Sequence, residues 1–363
     1  MTASAQPAVV LNAPAPFEAN AGVFSGRAPS GTQTIRVLVD GRRLDRVTLR
    51  KGHRTFSFGP TGLPLHDVTI QVRFLRGGKL LAKRTVRPVF GLPKASWKVV
   101  APRTTDGRSQ TALRGSRSSP GVASAVWAAG LAPGSRAASW NAGALFTGAS
   151  TLKLAILMCT FAHDASDPVS SGWFSTYQQM ILDSSNTAAD AVLTHLGGST
   201  SGGSAIVDSC VRTLGATNTI MYGGYLTDSL VPPVTDSVSP DIGYGKHTTA
   251  HDLGTLLLDL ELATNGKGPA HTLGLTGRKA RVALWLLLHA RYPGLVRPAT
   301  SDPVAHKAGW LDELQHDASL IFTPRGTIIC VVMTEAPGGV SYTASRAYGA
   351  RVVHLVMRRL LPS

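Results

Sequence analysis

The hydrophobic pattern of this 363-residue chain changes character once, across a polar stretch at residues 93–120. Before that stretch, apolar residues such as Ile35, Val37 and Val39 alternate with polar ones, which predicts short strands. After it come longer segments typical of helices, with strand patterns only at the two ends. A chain of this length has room for two domains. We therefore expect a strand-rich module at residues 1–95, a linker at 96–119 and a second domain at 120–363.

The first module carries two hairpin signals. Asp40-Gly41 and Gly77-Gly78 each follow an alternating run, and such dipeptides close two-residue β-turns. Short β-branched strands punctuated by Gly and Pro favour a small all-β sandwich. The strand rhythm and the segment at 37–41 (VLVDG) resemble the bacterial immunoglobulin-like modules of surface proteins. The resemblance implies an immunoglobulin-like sandwich at the N-terminus.

Positive charge is concentrated in the same module. Residues 1–100 hold 16 Lys and Arg against 4 Asp and Glu, and so contribute +12 of the chain's formal net charge of +15. Clustered charge of one sign favours a partner of the opposite sign. The candidates are an anionic cell-wall polymer, which we expect residues 1–95 to bind, a membrane surface and nucleic acid. A solvated, solubilising surface is the alternative that charge alone leaves open. Aromatic residues are sparse here and show no base-stacking pattern, which disfavours nucleic acid.

The second domain begins and ends with strand patterns that frame a run of helices. Residues 122–129 predict a strand, and 319–322 with 327–333 predict a hairpin. Helices are predicted at 150–161, 174–196 (one or two), 203–214, 249–262, 280–288 and 345–361. This order favours an α+β fold, in which helices flank an antiparallel sheet whose edge strands come from distant parts of the chain.

Three short motifs follow one another in the second domain. They are Ser150-Thr151-Leu152-Lys153, Ser184-Ser185-Asn186 and Lys307-Ala308-Gly309. On a helix, the first motif puts a hydroxyl and an amine one turn apart. A lysine that is desolvated enough to lower its pKa can take the serine proton and so activate a nucleophile. The chain contains no other Ser-x-x-Lys or Lys-x-Gly, so the ordered triple is far more specific than its parts.

The triple and its flanks resemble class A β-lactamases and the related penicillin-recognising serine hydrolases. The likeness includes residues 146–154 (FTGASTLKL), 183–193 (DSSNTAADAVL) and 306–322 (HKAGWLDELQHDASLIF), and covers about residues 105–363. It implies that a lactam or amide acylates Ser150, and that Lys153 is the base or proton relay for this step.

The resemblance also assigns roles to the later motifs. Ser184 would deliver a proton to the leaving nitrogen, Asn186 would hold the substrate's side-chain amide, and Lys307 would attract its carboxylate. The backbone N–H groups of Ser150 and Trp310 would form an oxyanion hole, with Gly309 among the substrate-binding residues. No cofactor or metal is implied. The expected substrate is a β-lactam or a small peptidoglycan-type molecule.

One departure from the family pattern concerns release of the acyl group. Hydrolytic members use a glutamate, on a loop between the second and third motifs, to activate the deacylating water. Here the corresponding loop, about residues 222–244, offers only Asp228, Asp236 and Asp241, and Glu261 comes later, at the end of a helix. Slow deacylation is therefore expected. Two alternatives stay open: a D-Ala-D-Ala peptidase or other peptidoglycan-directed serine hydrolase, and a non-catalytic scaffold that binds the cell wall.

The remaining expectations concern cysteines and location. Cys159, Cys210 and Cys330 are odd in number and lie in apolar runs, which is typical of buried free thiols, and no disulfide framework or zinc spacing is readable. No apolar stretch approaches the roughly 20 residues that a membrane-spanning helix needs. The first residues lack a secretory signal pattern. We expect a secreted or envelope-associated bacterial protein whose leader is not part of this sequence.

Overall fold

The structure is a computed structural model that describes residues 9–102, 106–226 and 246–362. Contacts between residues divide the chain into two compact units, Met1–Trp97 and Lys98–Ser363. The aspartates that the sequence offers for deacylation lie outside the described residues; they are Asp228, Asp236 and Asp241.

The N-terminal unit consists of strands. They are β1 (Val10–Ala13), β2 (Glu18–Asn20), β3 (Phe24–Arg27), β4 (Thr34–Val39), β5 (Arg42–Thr48), β6 (Thr55–Phe58), β7 (Asp67–Arg76) and β8 (Lys79–Gly91), followed by a 3-10 turn at Lys94–Trp97. These strands form a three-stranded sheet in the order β1-β3-β6 and a five-stranded sheet in the order β2-β8-β7-β4-β5. Strand β2 runs parallel to β8, and the other pairs are antiparallel.

One apolar core joins the two sheets. Ile35 and Val72 of the five-stranded sheet pack with Phe24 and Phe56 of the three-stranded sheet. Both expected hairpins are present, because β4 pairs with β5 and β7 with β8, and their turn residues have positive φ angles. The immunoglobulin likeness of this unit stays a prediction.

The second unit combines helices with a larger sheet. Its described helices are α1 (Gly107–Gly115), α2 (Lys153–His163), α3 (Phe174–Leu182), α4 (Asn186–Gly197), α5 (Thr200–Thr213), α6 (Ala250–Thr264), α7 (Gly268–Thr272), α8 (Gly277–Leu288) and α9 (Tyr342–Arg359), with 3-10 turns at Ala149–Leu152 and Arg297–Ala299. Its described strands are β9 (Ala123–Gly130), β10 (Ala137–Trp140), β11 (Phe146–Thr147), β12 (His247–Thr248), β13 (Val304–Leu311), β14 (Leu314–Thr323) and β15 (Gly326–Glu335). None of these helices is long and apolar enough to cross a membrane.

The sheet of the second unit is antiparallel, in the order β10-β9-β15-β14-β13, and helices cover both of its faces. On one face, Val126 of β9 packs with Leu113 of α1 and Val352 of α9. On the other face, a Cβ atom on Gly254 of α6 would lie 2.2 Å from the Trp127 ring, so α6 can approach only because that residue is glycine. The edge strands β10 and β13 come from distant parts of the chain, as predicted.

The segment predicted as a linker is partly folded. Helix α1 lies within residues 96–119, and the Asp106 side chain accepts a hydrogen bond from Arg108 N–H at its start. Leu113 is fully buried in the core of the second unit. The linker prediction at 96–119 therefore differs from the structure. Helix α1 is short and polar, and Leu113 is its one fully buried apolar residue, so the sequence shows no hydrophobic periodicity that would predict a helix.

The expectation of free cysteines is wrong for two of the three. Cys159 of α2 and Cys210 of α5 form a disulfide, and only Cys330 is a buried free thiol. The two partners are 51 residues apart in sequence, a separation that carries no pairing signal. Packing of α5 against α2 brings their Cα atoms to 6.0 Å, a distance that a disulfide can span.

Candidate active site

Ser150 and Lys153 meet where a 3-10 turn becomes a helix. Ser150 lies in the turn Ala149–Leu152, and Lys153 is the first residue of α2. This spacing brings Lys153 Nζ to 3.0 Å from Ser150 Oγ. Ala149 has a φ angle of +44°, in the left-handed region that costs a non-glycine residue about 1–3 kcal/mol. Strain of this kind persists only where the surroundings hold it, and here it directly precedes the candidate nucleophile.

The hydrogen bonds of Lys153 suit an ammonium that donates to three oxygens and also a neutral amine. Its Nζ lies 2.6 Å from the Ser184 carbonyl oxygen and 2.7 Å from Asn186 Oδ1, and both oxygens can only accept. A neutral amine donates its two hydrogens to these oxygens, so its lone pair is left to accept the Ser150 hydroxyl. Lys153 is fully buried, and this burial lowers its pKa to about 7, although the Asp190 charge opposes the shift.

A second buried lysine reaches the same cluster from the sheet. Lys307 of β13 has its Nζ 2.9 Å from Ser184 Oγ, and Lys153 Nζ lies 3.4 Å from that oxygen on another side. Burial, and next the nearby Lys153 charge, lower the pKa of Lys307 to about 7. The Ser184 hydroxyl therefore lies between two amines that can exchange protons near neutral pH.

Strand β13 comes close to the turn that carries Ser150. A Cβ atom on Gly309 would lie 3.1 Å from Ser150 N and 3.0 Å from Thr151 N, so a side chain there would crowd these amides. Glycine at this position lets the sheet edge lie directly beside the start of the turn. The amides at the start of the turn therefore lie directly beside β13, the strand that carries Trp310.

An open cleft of about 510 Å³ lies over this cluster. Its described lining residues are Thr147, Ala149, Ser150, Ser184, Asn186, Tyr225, Lys246, Trp310 and Leu311. Four residues that the sequence predicts for the site line the cleft, and Lys153, Lys307 and Gly309 lie directly behind them. The structure thus brings all seven predicted site residues together.

One wall of the cleft is held by stacking and a buried carboxylate. The Trp310 ring stacks on Tyr292, with centroids 3.9 Å apart and planes at 11°. Asp317 accepts hydrogen bonds from Leu295 N (2.7 Å) and Val296 N (2.8 Å), which fixes the loop that carries Tyr292 to the sheet. The wall formed by Trp310 is therefore braced from behind.

Tyr225 braces the opposite side of the cluster. Its hydroxyl donates to the Ala149 carbonyl (3.0 Å), and its ring centroid lies 4.4 Å from Lys153 Nζ. The Asp190 carboxylate accepts from the backbone N–H of Tyr225 (2.5 Å) and of Leu226 (3.0 Å), which holds the segment in place. The phenol thus supports the strained residue before Ser150 and covers the lysine.

Sequence reasoning missed Tyr225, Asp190 and the cleft residue Lys246. Asp190 had a usable signal, because it follows Asn186 by four residues on α4 and so shares its helix face. Tyr225 and Lys246 carry no such signal, since each reaches the site from a loop whose path depends on the rest of the fold.

Glu261 lies away from the cleft. It is buried on α6, where burial raises its pKa to about 8 and its side chain contacts Thr327. Thr327 pairs with Phe322, four residues along β14 from Ala318, the partner of Lys307. At about 3.4 Å per residue this is roughly 14 Å along the strand, so Glu261 does not reach the acyl group. Among the described residues, no group of three or more His, Cys, Asp and Glu could hold a metal ion.

Comparison with protein families agrees with this geometry. The model of the beta-lactamase enzyme family matches residues 166–359, which is more than half of the chain. This chain belongs to the beta-lactamase enzyme family. It is a serine hydrolase. The matched range contains the second and third motifs of this beta-lactamase family member and begins after its Ser-x-x-Lys motif.

Solved structures show the same fold for this beta-lactamase family member. PBP-A is 18% identical with a TM-score of 0.55, and the match covers 72% of this chain and 99% of PBP-A. A class A beta-lactamase from Mycobacterium abscessus is 19% identical with a TM-score of 0.53, covering 69% and 98%. A mutant of PBP-A, in an acyl-enzyme complex with penicillin-G, is 19% identical with a TM-score of 0.51, covering 71% and 100%. The predicted α+β fold of the second domain is thereby confirmed. Comparison with curated protein sequences gives no significant match.

Proposed function

We propose that this protein transfers the acyl group of a lactam or amide to Ser150 Oγ. The observation that carries the proposal is the buried amine of Lys153, whose two acceptor partners leave its lone pair for the Ser150 hydroxyl. A base with a pKa near the working pH combines a large neutral fraction with useful basicity. Lys153 meets that requirement at neutral pH.

Each proton in the step has a donor and an acceptor. Lys153 Nζ takes the Ser150 proton as Oγ bonds to the carbonyl carbon of the substrate. The carbon–nitrogen bond then breaks, and Ser184 donates its hydroxyl proton to the departing nitrogen. The proton on Lys153 returns to Ser184 across their 3.4 Å contact, which leaves an ester on Ser150 and a free amine as leaving group.

The neighbouring groups suit an acylated amino acid or peptide. Asn186 Oδ1 is occupied by Lys153, so the amide NH2 of Asn186 is left to donate to a carbonyl of the substrate. Lys307 supplies positive charge for a substrate carboxylate, and the N–H groups of Ser150 and Trp310 supply the oxyanion hole. A β-lactam and a peptidoglycan peptide both carry these groups.

We infer that the acyl group is released slowly. None of the described residues that line the cleft has a carboxylate, and the ring of Tyr225 covers the Lys153 amine. The Tyr225 phenol is no substitute base, because burial raises its pKa far above neutral. This observation favours a second candidate, a D-Ala-D-Ala peptidase or other peptidoglycan-directed hydrolase that β-lactams acylate, over an efficient β-lactamase.

The test combines a chromogenic cephalosporin with intact-protein mass. A single stable adduct with little colour beyond one equivalent supports slow deacylation. Sustained colour at many turnovers supports a β-lactamase and contradicts slow release. Absence of both colour and adduct contradicts acyl transfer and leaves the non-catalytic scaffold.

Variants at Tyr225 test the role of the ring. Tyr225→Glu replaces it with a carboxylate beside Lys153, which could act as a general base for water. A well-positioned general base contributes about a hundredfold or more, so we set the expected increase in adduct decay at about tenfold or more for a side chain introduced by substitution. Tyr225→Phe keeps the ring but removes the donor to Ala149, so acylation should slow several-fold while adduct lifetime is unchanged. Tyr222→Phe is the matched control. An adduct lifetime that Tyr225→Glu does not shorten would contradict the inference.

We propose a location outside the cytoplasm. The Cys159–Cys210 disulfide supports it, because such bonds persist in oxidising compartments. Cells quenched with acid and alkylated under denaturing conditions should yield protein with one alkylated cysteine, Cys330. Three alkylated cysteines would contradict the proposal.

A further inference from the structure

Four cations lie in one row across the five-stranded sheet of the N-terminal unit. Arg36 of β4 pairs with Arg46 of β5 on one side and with Arg73 of β7 on the other, and Arg73 pairs with Lys83 of β8. We name these four residues the cation row. Neighbouring strands are about 4.8 Å apart, so the row is roughly 14 Å long and runs perpendicular to the strands.

The cation row lies on the outer face of the sheet. Arg36 stands between Ile35 and Val37, which are both buried in the core, so its side chain lies on the opposite face. The other three members of the row are exposed, and Arg36 is partly exposed. All four charges are therefore accessible from solvent on one face.

Two β-bulges create this alignment. The hairpin at Asp40-Gly41 starts by pairing Val39 with Arg42, a register that would continue to pair Arg36 with Asp45. A bulge after Val37 shifts the register by one residue and pairs Arg36 with Arg46 instead. A second bulge, between Phe74 and Leu75, shifts the next hairpin in the same way and pairs Arg73 with Lys83. Bulges re-aim side chains in this manner, and here each one brings like charges opposite each other.

None of the four cations forms an ion pair within the described residues: Asp45 accepts from the backbone N–H of Arg46, and Arg73 Nε donates to Gln71 Oε1 (2.5 Å). No carboxylate there lies within ion-pair distance of any of the four, and the Nε of Arg36 is buried without a hydrogen-bond partner. Like charges directly opposite one another on neighbouring strands destabilise a sheet. An arrangement that costs stability in the free protein is explained if an anion occupies it.

We propose that the cation row binds a linear polyphosphodiester, laid across the strands so that successive phosphates meet successive cations. Three of the four members are arginines, whose planar guanidinium groups bind two phosphate oxygens at once. The next row in register consists of Arg43, Leu38, Gln71 and Thr85, none of which provides an aromatic surface for a nucleic-acid base. A flexible polymer with a charged backbone and no bases fits this surface.

The test measures binding of the full chain to fluorescently labelled poly(glycerol phosphate). One variant replaces the cation row (Arg36→Gln, Arg46→Gln, Arg73→Gln and Lys83→Gln). Its matched control removes four exposed cations of the same unit that lie outside the row (Arg27→Gln, Arg50→Gln, Lys51→Gln and Lys79→Gln). Both lose the same charge. We expect affinity to fall about 30-fold or more in the row variant and less than about threefold in the control, because the row makes direct ionic contacts.

Salt dependence gives a second readout. Loss of four ionic contacts should reduce the slope of log affinity against log salt by about three, at the roughly 0.7 per contact known for single-stranded polyanions. Equal weakening in the row variant and the control would overturn the proposal, since charge count alone would then explain binding. Tighter binding of the wild type to poly(U), or to phosphatidylglycerol vesicles at matched ionic strength, would also overturn it.

Thermal unfolding shows whether the row variant is folded. Without polymer, it should unfold at or above the wild-type temperature, because repulsion has been removed. With polymer, the melting temperature of the wild type should rise and that of the row variant should not. If the four substitutions lower the melting temperature, the single variant Arg73→Gln, which removes the middle of the row, replaces it in the binding assay. Unchanged affinity in that variant would count against the proposal.

Discussion

The two units use positive charge in opposite ways. In the second unit, Lys153 and Lys307 are buried around the Ser184 hydroxyl, and burial lowers their pKa values to about 7. In the N-terminal unit, the cation row lies on the solvent-facing side of its sheet. Loss of water makes a lysine amine into a base, whereas exposure preserves it as a charge. We therefore propose that the same residue class serves proton transfer in one place and ion binding in another.

The carboxylates near the buried lysines and near the cation row can be compared in the same way. Asp190 is the acid whose charge acts on Lys153, but its oxygens accept from the backbone of the Tyr225 segment. Asp317 is likewise engaged by His306 (2.8 Å) and by backbone N–H groups. The buried lysines thus have acids nearby without direct ion pairs, and desolvation prevails. Around the cation row, Asp45 likewise accepts from a backbone N–H, that of Arg46 (2.6 Å), but there the exposed cations stay in contact with solvent.

The largest expected effect is at the buried cluster. Ser150→Ala should abolish the covalent adduct with a β-lactam, because no other hydroxyl there has both the lysine and the strand amides beside it. Intact-protein mass after incubation measures this. Ser139→Ala is the control and should acylate at the wild-type rate, because Ser139-Trp140-Asn141 repeats the spacing of Ser184-Ser185-Asn186 but does not line the cleft. An adduct that persists on the Ser150 variant would remove the assignment.

Lys153→Met tests whether burial makes the lysine a base. We expect acylation to slow about a hundredfold or more, the usual range for loss of a general base. Stopped-flow colour change with a cephalosporin measures the rate. Lys279 is the matched control, because it is also buried and donates to carbonyl oxygens but does not line or border the cleft. If Lys279→Met slows acylation equally, lost packing rather than lost basicity explains the effect.

The pH profile sharpens the comparison further. Lys153 must be neutral to act, so below its pKa of about 7 the acylation rate should rise about tenfold for each pH unit. Lys307 must be charged to attract a carboxylate, and its proton is also lost near pH 7 and above. The profile of kcat/KM should therefore be bell-shaped around neutrality. In Lys307→Gln we expect only the rising limb to remain, and a flat wild-type profile between pH 6 and 8 would contradict the proton-transfer role.

The smallest expected effect is the contribution of the cation row to the free energy of unfolding of the protein. Arg73 has a like charge opposite it on both neighbouring strands. Arg73→Gln should therefore stabilise the free protein by about 0.4–2 kcal/mol, at roughly 0.2–1 kcal/mol for each of the two repulsive pairs. Denaturant unfolding at low ionic strength measures this change. Lys51→Gln is the control, because it removes one exposed positive charge from a turn outside the cation row. A loss of stability in Arg73→Gln would show that its charge is compensated within the folded chain.

Local patterns accounted for much of the fold. Two-residue turns at Asp40-Gly41 and Gly77-Gly78 were readable because the turn residues need positive φ angles, and those dipeptides supply them. Most helices of the second unit lie within a few residues of the predicted bounds, since apolar periodicity follows from the helix itself. The contact between Ser150 and Lys153 was readable for the same reason, because one turn of helix joins them.

Contacts between distant segments could not be read in this way. The Cys159–Cys210 disulfide, the contact of Tyr225 with Ala149 and the folding of Leu113 into the core each depend on packing between elements far apart in the chain. The cation row is the clearest case, because a turn sequence predicts one register and a bulge replaces it with another. Hydrogen bonding over one or two turns can be inferred from neighbouring residues, whereas the meeting of remote side chains is settled by how whole strands and helices pack.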